Sequence, residues 1–360
     1  MFNRERSIAL LLGVFAFAWL AFGPGVEAQQ TSPNPSASAA APTATPPVDD
    51  DDDEVIKVDT EVVNVLFTAQ DRQRRLLTSL KQEDVRLLED GKPQEIVAFS
   101  RQVDLPLSLA ILVDTSISQE RTLPEEKIAA MSFLETVIRP SKDEVAVISF
   151  TGEATLEQGM TNNLTRLRRA IERIRVATVS GHIGGGVVVG TPPISGDNQA
   201  VSGSTAIWDA VWVTSDEILG PAPERTRRAI ILLTDGVNTF GKKKLDEAVQ
   251  SALRAEAIIY SIGIGDDYYG GVDKGALNKI SERTGGRAYF PRDERELRQA
   301  FAQIQEEMRS QYLIAYEPTN QNRDGSYRKI DIQLTSPDLQ KQKVKVSHRQ
   351  GYFAKDAAKK

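Results

Sequence analysis

Nearly continuous apolar runs alternate with stretches of helical periodicity through the middle of the chain. Such runs are typical of strands that are covered on both faces of a parallel sheet. The predicted strands are residues 107–113, 144–150, 229–233 and 257–264, and the predicted helices are about 124–138, 164–176, 205–219, 243–256, 274–284 and 294–309. This order predicts an α/β fold with a doubly wound, mostly parallel sheet and helices on both faces.

The segments on either side of this middle have strand patterns and polar turns. Asp90-Gly91 lies between two short apolar runs, which is a hairpin signal. Neither end has enough strands to bury a face alone, so we expect the two ends to pack together as one small β-sandwich. The strands expected in it lie within residues 55–67, 85–99, 312–316, 328–334 and 343–348.

The N-terminus has the pattern of an export signal. Two arginines precede the uncharged apolar stretch 8–22, and Val26-Glu27-Ala28 has the small-x-Ala form that signal peptidase accepts. We expect residues 1–28 to be a cleaved signal peptide, which leaves no membrane span and a periplasmic or extracellular protein. The alternative is an uncleaved signal that anchors the chain in the inner membrane, since the uncharged run approaches the roughly 20 residues that a bilayer requires.

Composition divides the rest of the chain. Residues 29–54 are rich in Pro, Ser, Ala and Asp and are predicted to be a disordered linker. An N-terminal β segment at 55–104, a central domain at 105–311 and a C-terminal β segment at 312–360 follow. The chain has no cysteine, so neither a disulfide nor a lipid-modified cysteine can form, and its formal net charge of −6 gives no basic footprint for nucleic acid.

Side chains that bear oxygen are placed where predicted strands end. Asp114, Ser116 and Ser118 follow the first central strand, Asp235 follows a later one, and Thr205 opens the helix between them in sequence. Doubly wound folds bind ligands at the carboxyl ends of their strands. The order therefore predicts that these five side chains converge, although ordinary turn and cap chemistry explains each part separately.

Hydroxyls and carboxylates without Cys or His are hard ligands. They favour Mg²⁺, with Mn²⁺ or Ca²⁺ as alternatives, over zinc or copper. A Mg²⁺ ion with so few protein ligands keeps water, and an incoming acidic group can replace one water. The sequence therefore predicts a divalent cation that receives a carboxylate from a partner.

The motif Asp-x-Ser-x-Ser, followed by Thr and then Asp, resembles the metal-ion-dependent adhesion site (MIDAS) of the von Willebrand factor type A (VWA) family, over about residues 105–312. The resemblance implies that Ser116 and Ser118 bind the metal directly and that Thr205 binds it directly or through water. It also implies that Asp114 and Asp235 act largely through water, and that a Glu or Asp of a protein partner supplies the final ligand.

The flanking segments resemble a VWA-related subfamily of exported, mostly uncharacterised proteins that is abundant in acidobacteria. The residues that carry this resemblance include Leu88-Glu89-Asp90-Gly91-Lys92 before the central domain and Gly351-Tyr352 near the C-terminus. The resemblance implies a bacterial envelope or secreted protein.

A long glycine-rich insertion, residues 180–204, immediately precedes Thr205 and departs from the family pattern. It contains Gly184, Gly185 and Gly186. Long loops on a rigid scaffold often carry function. We expect it either to form a flap that contacts the partner or to be inert decoration.

These features predict an exported, non-enzymatic protein that mediates metal-dependent protein–protein interaction or adhesion. The five site residues are already used on the metal, and no histidine or cysteine belongs to the site as a general base. The alternatives are a metal-dependent hydrolase and an envelope protein in which the metal is purely structural.

Overall fold

The computed structural model describes residues 62–102, 105–177, 204–223, 226–265 and 270–356. All of them belong to one unit, Val58–Lys360. The predicted signal peptide, the linker at 29–54 and Gly184–Gly186 of the insertion lie outside the described residues, so these remain predictions. Within the described ranges, no helix is long and apolar enough to cross a membrane.

The described residues form strands and helices in the following order. The strands are β1 (Val63–Gln70), β2 (Val85–Glu89), β3 (Lys92–Pro93), β4 (Ile96–Gln102), β5 (Leu107–Asp114), β6 (Glu144–Phe150), β7 (Ala154–Thr161), β8 (Arg227–Thr234), β9 (Ala257–Gly263), β10 (Ala288–Tyr289), β11 (Gln311–Tyr316), β12 (Tyr327–Leu334), β13 (Lys345–His348) and β14 (Gly351–Phe353). The helices are α1 (Leu123–Val137), α2 (Leu164–Arg173), α3 (Ile207–Val213, continued as a π-helix over Thr214–Leu219), α4 (Leu245–Arg254), α5 (Lys274–Thr284), α6 (Glu294–Arg309) and α7 (Pro337–Lys341).

A six-stranded sheet with the order β10-β9-β8-β5-β6-β7 forms the central domain. The pairs β9–β10, β8–β9, β5–β8 and β5–β6 are parallel, and only the edge strand β7 is antiparallel to its neighbour. The carboxyl ends of the parallel strands therefore lie along one edge of the sheet. This arrangement confirms the predicted mostly parallel α/β fold.

Helices cover both faces of this sheet. In β5, Leu109, Ile111 and Val113 pack with α1, α2 and α6, whereas Ala110 and Leu112 pack with α3, α4 and α5. Successive side chains of a strand point to opposite faces, so both sets are buried. Burial on both faces is the physical reason for the continuous apolar run in the sequence.

Four elements of the central domain differ from the prediction, and one of them is the short strand β10, which was not predicted. The strand β7 was not predicted, because its sequence is largely polar and none of its residues is fully buried. The helix α2 ends at Arg173 because Ile174 already has an extended ψ of 132°. The helix α3 begins at Ile207 rather than Thr205, because the Thr205 carbonyl accepts hydrogen bonds from the backbone of another loop.

The two flanking segments form two antiparallel four-stranded sheets, in agreement with the predicted composite β-sandwich. One sheet has the order β13-β1-β11-β4 and the other has the order β14-β12-β2-β3. Each sheet pairs strands from before the central domain with strands from after it. Residues of both sheets share one core, in which Phe67 stacks on Tyr312 with ring centroids 5.1 Å apart.

The predicted hairpin is present between β2 and β3. Glu89 is paired with Lys92, which leaves Asp90 and Gly91 as a two-residue turn. Their φ angles are 49° and 80°, and two positive φ angles are the mark of a type I′ turn. Asp90 also accepts a hydrogen bond of 2.9 Å from the backbone N–H of Lys329 in β12, so the turn is tied to the C-terminal segment.

Candidate functional site

The sheet topology places the two predicted aspartates side by side. Asp114 ends β5, and Asp235 directly follows β8, which is the parallel neighbour of β5 with Val113 opposite Leu233. Both side chains therefore emerge at the carboxyl edge of the sheet, where folds of this class bind ligands. Ser118 lies beside them, on the short 3₁₀ turn that follows Asp114.

Four of the five predicted residues form a continuous hydrogen-bond network. Asp114 Oδ1 accepts a 2.9 Å hydrogen bond from the backbone N–H of Ser116. The hydroxyl oxygens of Ser116 and Ser118 are 3.0 Å apart, and the Ser118 hydroxyl donates to Asp235 Oδ2 at 2.7 Å. Asp235 Oδ1 accepts from the backbone N–H of Val237 at 2.9 Å. Two loops that are distant in sequence thus bring hard oxygen ligands together.

Thr205 reaches the same edge by a different route. Its side chain is not part of the network that joins the other four residues. Its backbone N–H donates to Thr239 Oγ1 at 2.8 Å, and its carbonyl accepts from the backbone N–H groups of Thr239 and Phe240 at 3.0 and 3.1 Å. Thr239 and Phe240 belong to the loop that follows Asp235, so these hydrogen bonds fix Thr205 to that loop. Only 5% of Thr205 is exposed.

Two residues that were not predicted from the sequence hold the network in place. The Thr234 hydroxyl donates to Asp114 Oδ2 at 2.5 Å. The fully buried Gln119 donates from Nε2 to the Ile264 carbonyl at 3.2 Å, and its Oε1 accepts from the Thr122 hydroxyl at 2.9 Å. A polar residue at the end of an apolar strand was an available signal for Thr234, whereas nothing in the sequence distinguished Gln119.

Burial changes the acid–base behaviour of the carboxyl groups at this edge. Desolvation raises the pKa of Asp114 to about 6. Desolvation, with a smaller contribution from the charges of Asp114 and Asp235, also raises the pKa of Glu126, on α1, to about 8. Neither carboxyl oxygen of Glu126 has a hydrogen-bond partner among the described residues. A cation at this edge would lie close to carboxyl groups that are otherwise poorly compensated.

The donor set fits a hard divalent cation. The converging oxygens belong to serine hydroxyls and aspartate carboxylates, which suit Mg²⁺, Mn²⁺ or Ca²⁺. Across the described parts of the chain, no group of three or more His, Cys, Asp or Glu side chains is placed to hold a metal ion. A cation here would therefore depend on Ser116 and Ser118 as well as on the two aspartates.

Asp209 supports the site from α3. Its carboxylate accepts hydrogen bonds of 3.1 Å from the backbone N–H groups of Lys242 and Lys243. Asp209 thus fixes the loop between β8 and α4, which also carries Thr239, rather than being simply solvated.

Comparison with known families identifies the central domain. The family model of the von Willebrand factor type A domain matches residues 196–303. The match covers less than a third of the chain and lies within the central domain, so it supports a VWA domain at residues 196–303. The matched stretch includes Thr205 and Asp235 and begins after Asp114, Ser116 and Ser118. No curated protein sequence matches the chain.

Solved structures with similar folds come from animals and bacteria. Proximal thread matrix protein 1 from the mussel byssus is 17% identical, with a TM-score of 0.46 over 61% of this chain and 51% of its own. A second structure of that protein, with a zinc-occupied MIDAS motif, is 20% identical, with a TM-score of 0.44 over 61% and 49%. The chain thus spans about half the length of the mussel protein. The conserved hypothetical protein BatB from Bacteroides thetaiotaomicron is 17% identical, with a TM-score of 0.42 over 57% and 100%.

Proposed function

We propose that this chain is an exported, non-enzymatic binding protein that recognises a protein partner through a divalent cation. Asp114, Ser116, Ser118, Thr205 and Asp235 would hold the cation, with Mg²⁺ preferred and Mn²⁺ or Ca²⁺ as alternatives. An acidic side chain of the partner would complete its coordination. The bacterial envelope and the acidobacterial subfamily are part of the proposal, on the resemblance of the flanking segments.

The observation that carries the proposal is the hydrogen bond between the Ser118 hydroxyl and Asp235. These two residues are 117 positions apart in sequence, yet their oxygens are 2.7 Å from each other. Ser116 lies 3.0 Å from Ser118 on the other side. Hydroxyl and carboxylate oxygens at such distances need only small side-chain rotations to turn from one another toward a shared cation.

The same donor set suits recognition of a carboxylate. Two aspartates balance the charge of a divalent cation, and two neutral hydroxyls leave the ion electrophilic toward a further anion. Mg²⁺ keeps several waters when few protein ligands reach it, so a carboxylate can enter by replacing water. Because the two aspartates are buried, water would not reach the ion from the interior of the domain. This favours a ligand that arrives from the open edge of the sheet.

We propose binding rather than catalysis because, among the described residues, the two aspartates that would hold the cation are already engaged in hydrogen bonds. Asp114 and Asp235 are engaged with backbone N–H groups and hydroxyls. His348 lies in β13, in the sandwich rather than at the carboxyl edge of the central sheet. The alternative, a metal-dependent hydrolase, predicts turnover of simple esters or phosphoesters when Mg²⁺ or Mn²⁺ is added. Loss of that turnover in Ser118→Ala would then assign it to this site.

Thermal unfolding with and without metal tests the site. A cation that binds only the folded state at about 100 times its dissociation constant adds about 2.7 kcal/mol of stability. We expect Mg²⁺, added after chelation, to raise the unfolding midpoint of the protein by several degrees. Ser118→Ala should lose most of this rise because it removes a direct ligand. Ser132→Ala, on the exposed face of α1, is the matched control and should behave like the wild type.

Three results would argue against the proposal. An equal midpoint rise in Ser118→Ala and in the wild type would place the metal elsewhere. No rise with any of Mg²⁺, Mn²⁺ or Ca²⁺ at millimolar concentration would mean that no cation binds at the edge of the sheet. A metal that stabilises the protein but never supports binding of an acidic peptide would favour the other alternative, a purely structural metal.

A further inference from the structure

Three exposed apolar residues are adjacent in sequence, or hydrogen-bonded through their backbone, to residues of the candidate metal site. Ile117 lies between Ser116 and Ser118, and 37% of it is exposed. Val237 is equally exposed, and its backbone N–H donates to Asp235. Together with Phe240, these two residues form a surface that we call the apolar rim.

Phe240 completes the apolar rim on the side of Thr205. Phe240 is 42% exposed, and its backbone N–H donates to the Thr205 carbonyl at 3.1 Å. Single exposed apolar residues are common on protein surfaces. In this case, each of the three is adjacent in sequence or hydrogen-bonded to a residue of one candidate ligand site. The backbones of Val237 and Phe240 are hydrogen-bonded to Asp235 and Thr205, and Ile117 begins the 3₁₀ turn that carries Ser118, so the backbone at all three positions is held close to the site.

Positive charge continues from the apolar rim on one side. The loop that carries Phe240 runs on into Lys242, Lys243 and Lys244. Asp209 fixes the backbone of the first two, and Lys243 folds back over the ring of Trp212, with Nζ 4.3 Å from the ring centroid. Lys242 and Lys244 are exposed. The surface beside the site therefore combines apolar contact area with a cationic border.

We propose that the site binds a protein segment in which an Asp or Glu is flanked by apolar residues and accompanied by a second acidic residue. This inference rests on the proposed function. The first carboxylate reaches the cation, the apolar flanks cover the apolar rim, and the second acid lies against Lys242 or Lys244. The rim excludes water from the metal–carboxylate contact, which strengthens it relative to a contact in open solvent.

A displayed library of seven-residue peptides with a fixed central aspartate tests the proposed specificity. The library is selected on the Mg²⁺-loaded protein and eluted with chelator. We expect enrichment of Leu, Ile, Val or Phe next to the aspartate and of a second Asp or Glu. An enriched peptide is then synthesised, and its Kd is measured for the wild type and the variants.

The rim variant is the double substitution Val237→Ser and Phe240→Ser, neither of which removes a proposed metal ligand. Completing the burial of two partly exposed apolar side chains predicts about tenfold weaker binding of the enriched peptide to this variant. The matched control is Val97→Ser with Leu156→Ser, whose side chains are 54% and 53% exposed and lie in β4 and β7. The control should bind the peptide as the wild type does.

The outcomes separate this inference from the proposed function. If Mg²⁺ stabilises the wild type and chelator elutes the peptides, but selection shows no apolar preference, the rim has no role and the inference is wrong. Equal affinity of the rim variant and the control would overturn it as well. Failure of Mg²⁺ to stabilise the wild type would instead remove the proposed function, and this inference with it. If the rim variant loses its Mg²⁺ response, Phe240→Ser alone decides the question.

Discussion

Glu126 is a carboxylic acid in surroundings that do not compensate its charge. It lies in the first turns of α1 and is fully buried, and neither of its oxygens has a hydrogen-bond partner within the described residues. The one proton of the nearby Thr122 hydroxyl is directed to Gln119. An ionised carboxylate in such a position is strongly unfavourable. Glu126 therefore keeps its proton at neutral pH in the metal-free protein.

This property predicts a pH dependence of stability. The pKa of Glu126 is raised from 4.5 to about 8, so between these values the folded state holds a proton that the unfolded state has lost. Stability then falls as the pH rises through this window and levels off above it. Each pH unit corresponds to about 1.4 kcal/mol, so we expect a loss of about 2 kcal/mol between about pH 6.5 and pH 8. Urea unfolding in the presence of chelator measures it.

Glu126→Gln should abolish this loss and make the protein more stable than the wild type at the higher pH. Glu125→Gln, at the exposed neighbouring position, is the control and should keep the loss. Asp114, whose pKa is raised from 3.8 to about 6, contributes with the same sign, but at pH values below the proposed range. If Glu126→Gln retained the full pH dependence, the buried acid would not be its source.

At the scale of the elements, predictions succeeded where a single property of the sequence decides the structure. Double-sided burial makes the parallel strands nearly continuous apolar runs, and Asp90-Gly91 fixes its own turn. The strand β7 escaped prediction because an exposed edge strand needs no apolar periodicity. The start of α3 was not predicted because the Thr205 carbonyl accepts hydrogen bonds from the backbone of Thr239 and Phe240, which are distant in sequence.

Some residues of the candidate site could likewise be predicted from the sequence, and others could not. Asp114, Ser116, Ser118 and Asp235 could be predicted because strand ends in a parallel sheet converge whatever the rest of the chain does. Thr234 and Gln119 act through contacts that only the folded structure brings about. Pattern reasoning identifies candidate ligands along the chain, but it does not identify the groups that orient them through space.

Gly241 is a glycine whose conformation connects the loop between β8 and α4 to Asp209. Gly241 has a φ of +110°, and a methyl group added to it would lie 2.1 Å from Asp209 Oδ2. Gly241→Ala should therefore displace the Asp209 carboxylate from the backbone N–H groups of Lys242 and Lys243, which donate hydrogen bonds to it. Because the same loop holds Thr205 through Thr239, we expect both a lower unfolding midpoint and a smaller Mg²⁺-induced rise.

Gly270→Ala is a matched control for this prediction. Gly270 has a similar φ of +100°, but an added methyl group would meet nothing within 4 Å. Both variants carry the backbone strain of an alanine at positive φ, on the order of 1 kcal/mol. The difference between them isolates the contact with Asp209. Equal midpoints and equal Mg²⁺ responses in the two variants would mean that Asp209 does not transmit loop geometry to the site.

At the scale of the whole molecule, the VWA domain and the sandwich are joined at a buried carboxylate. Glu307 lies in the last turn of α6, directly before β11, the strand that pairs with β1 and β4 in the sandwich. Its Oε1 accepts hydrogen bonds from Gln70 Nε2 of β1 at 2.8 Å and from the Tyr289 hydroxyl of β10 at 2.9 Å. Arg287 lies 3.2 Å away and supplies the opposite charge.

This junction should make the two parts unfold together. Glu307→Gln keeps the size of the side chain but removes its charge, so it leaves Arg287 without its ion partner and weakens both accepted hydrogen bonds. Removing one partner of a buried ion pair typically destabilises by a few kcal/mol, and we expect a loss of about 2–3 kcal/mol in urea unfolding. Glu306→Gln, at the exposed neighbouring position, should change stability by less than about 0.5 kcal/mol. Once Trp19 is replaced by Phe, the remaining Trp208 and Trp212 report on the VWA domain alone, whereas circular dichroism reports on both parts. In the wild type, fluorescence and circular dichroism should therefore give one midpoint, and in Glu307→Gln the two midpoints should separate.

Coincident midpoints with unchanged stability in Glu307→Gln would show that the continuous chain from α6 into β11, rather than the buried carboxylate, holds the two parts together.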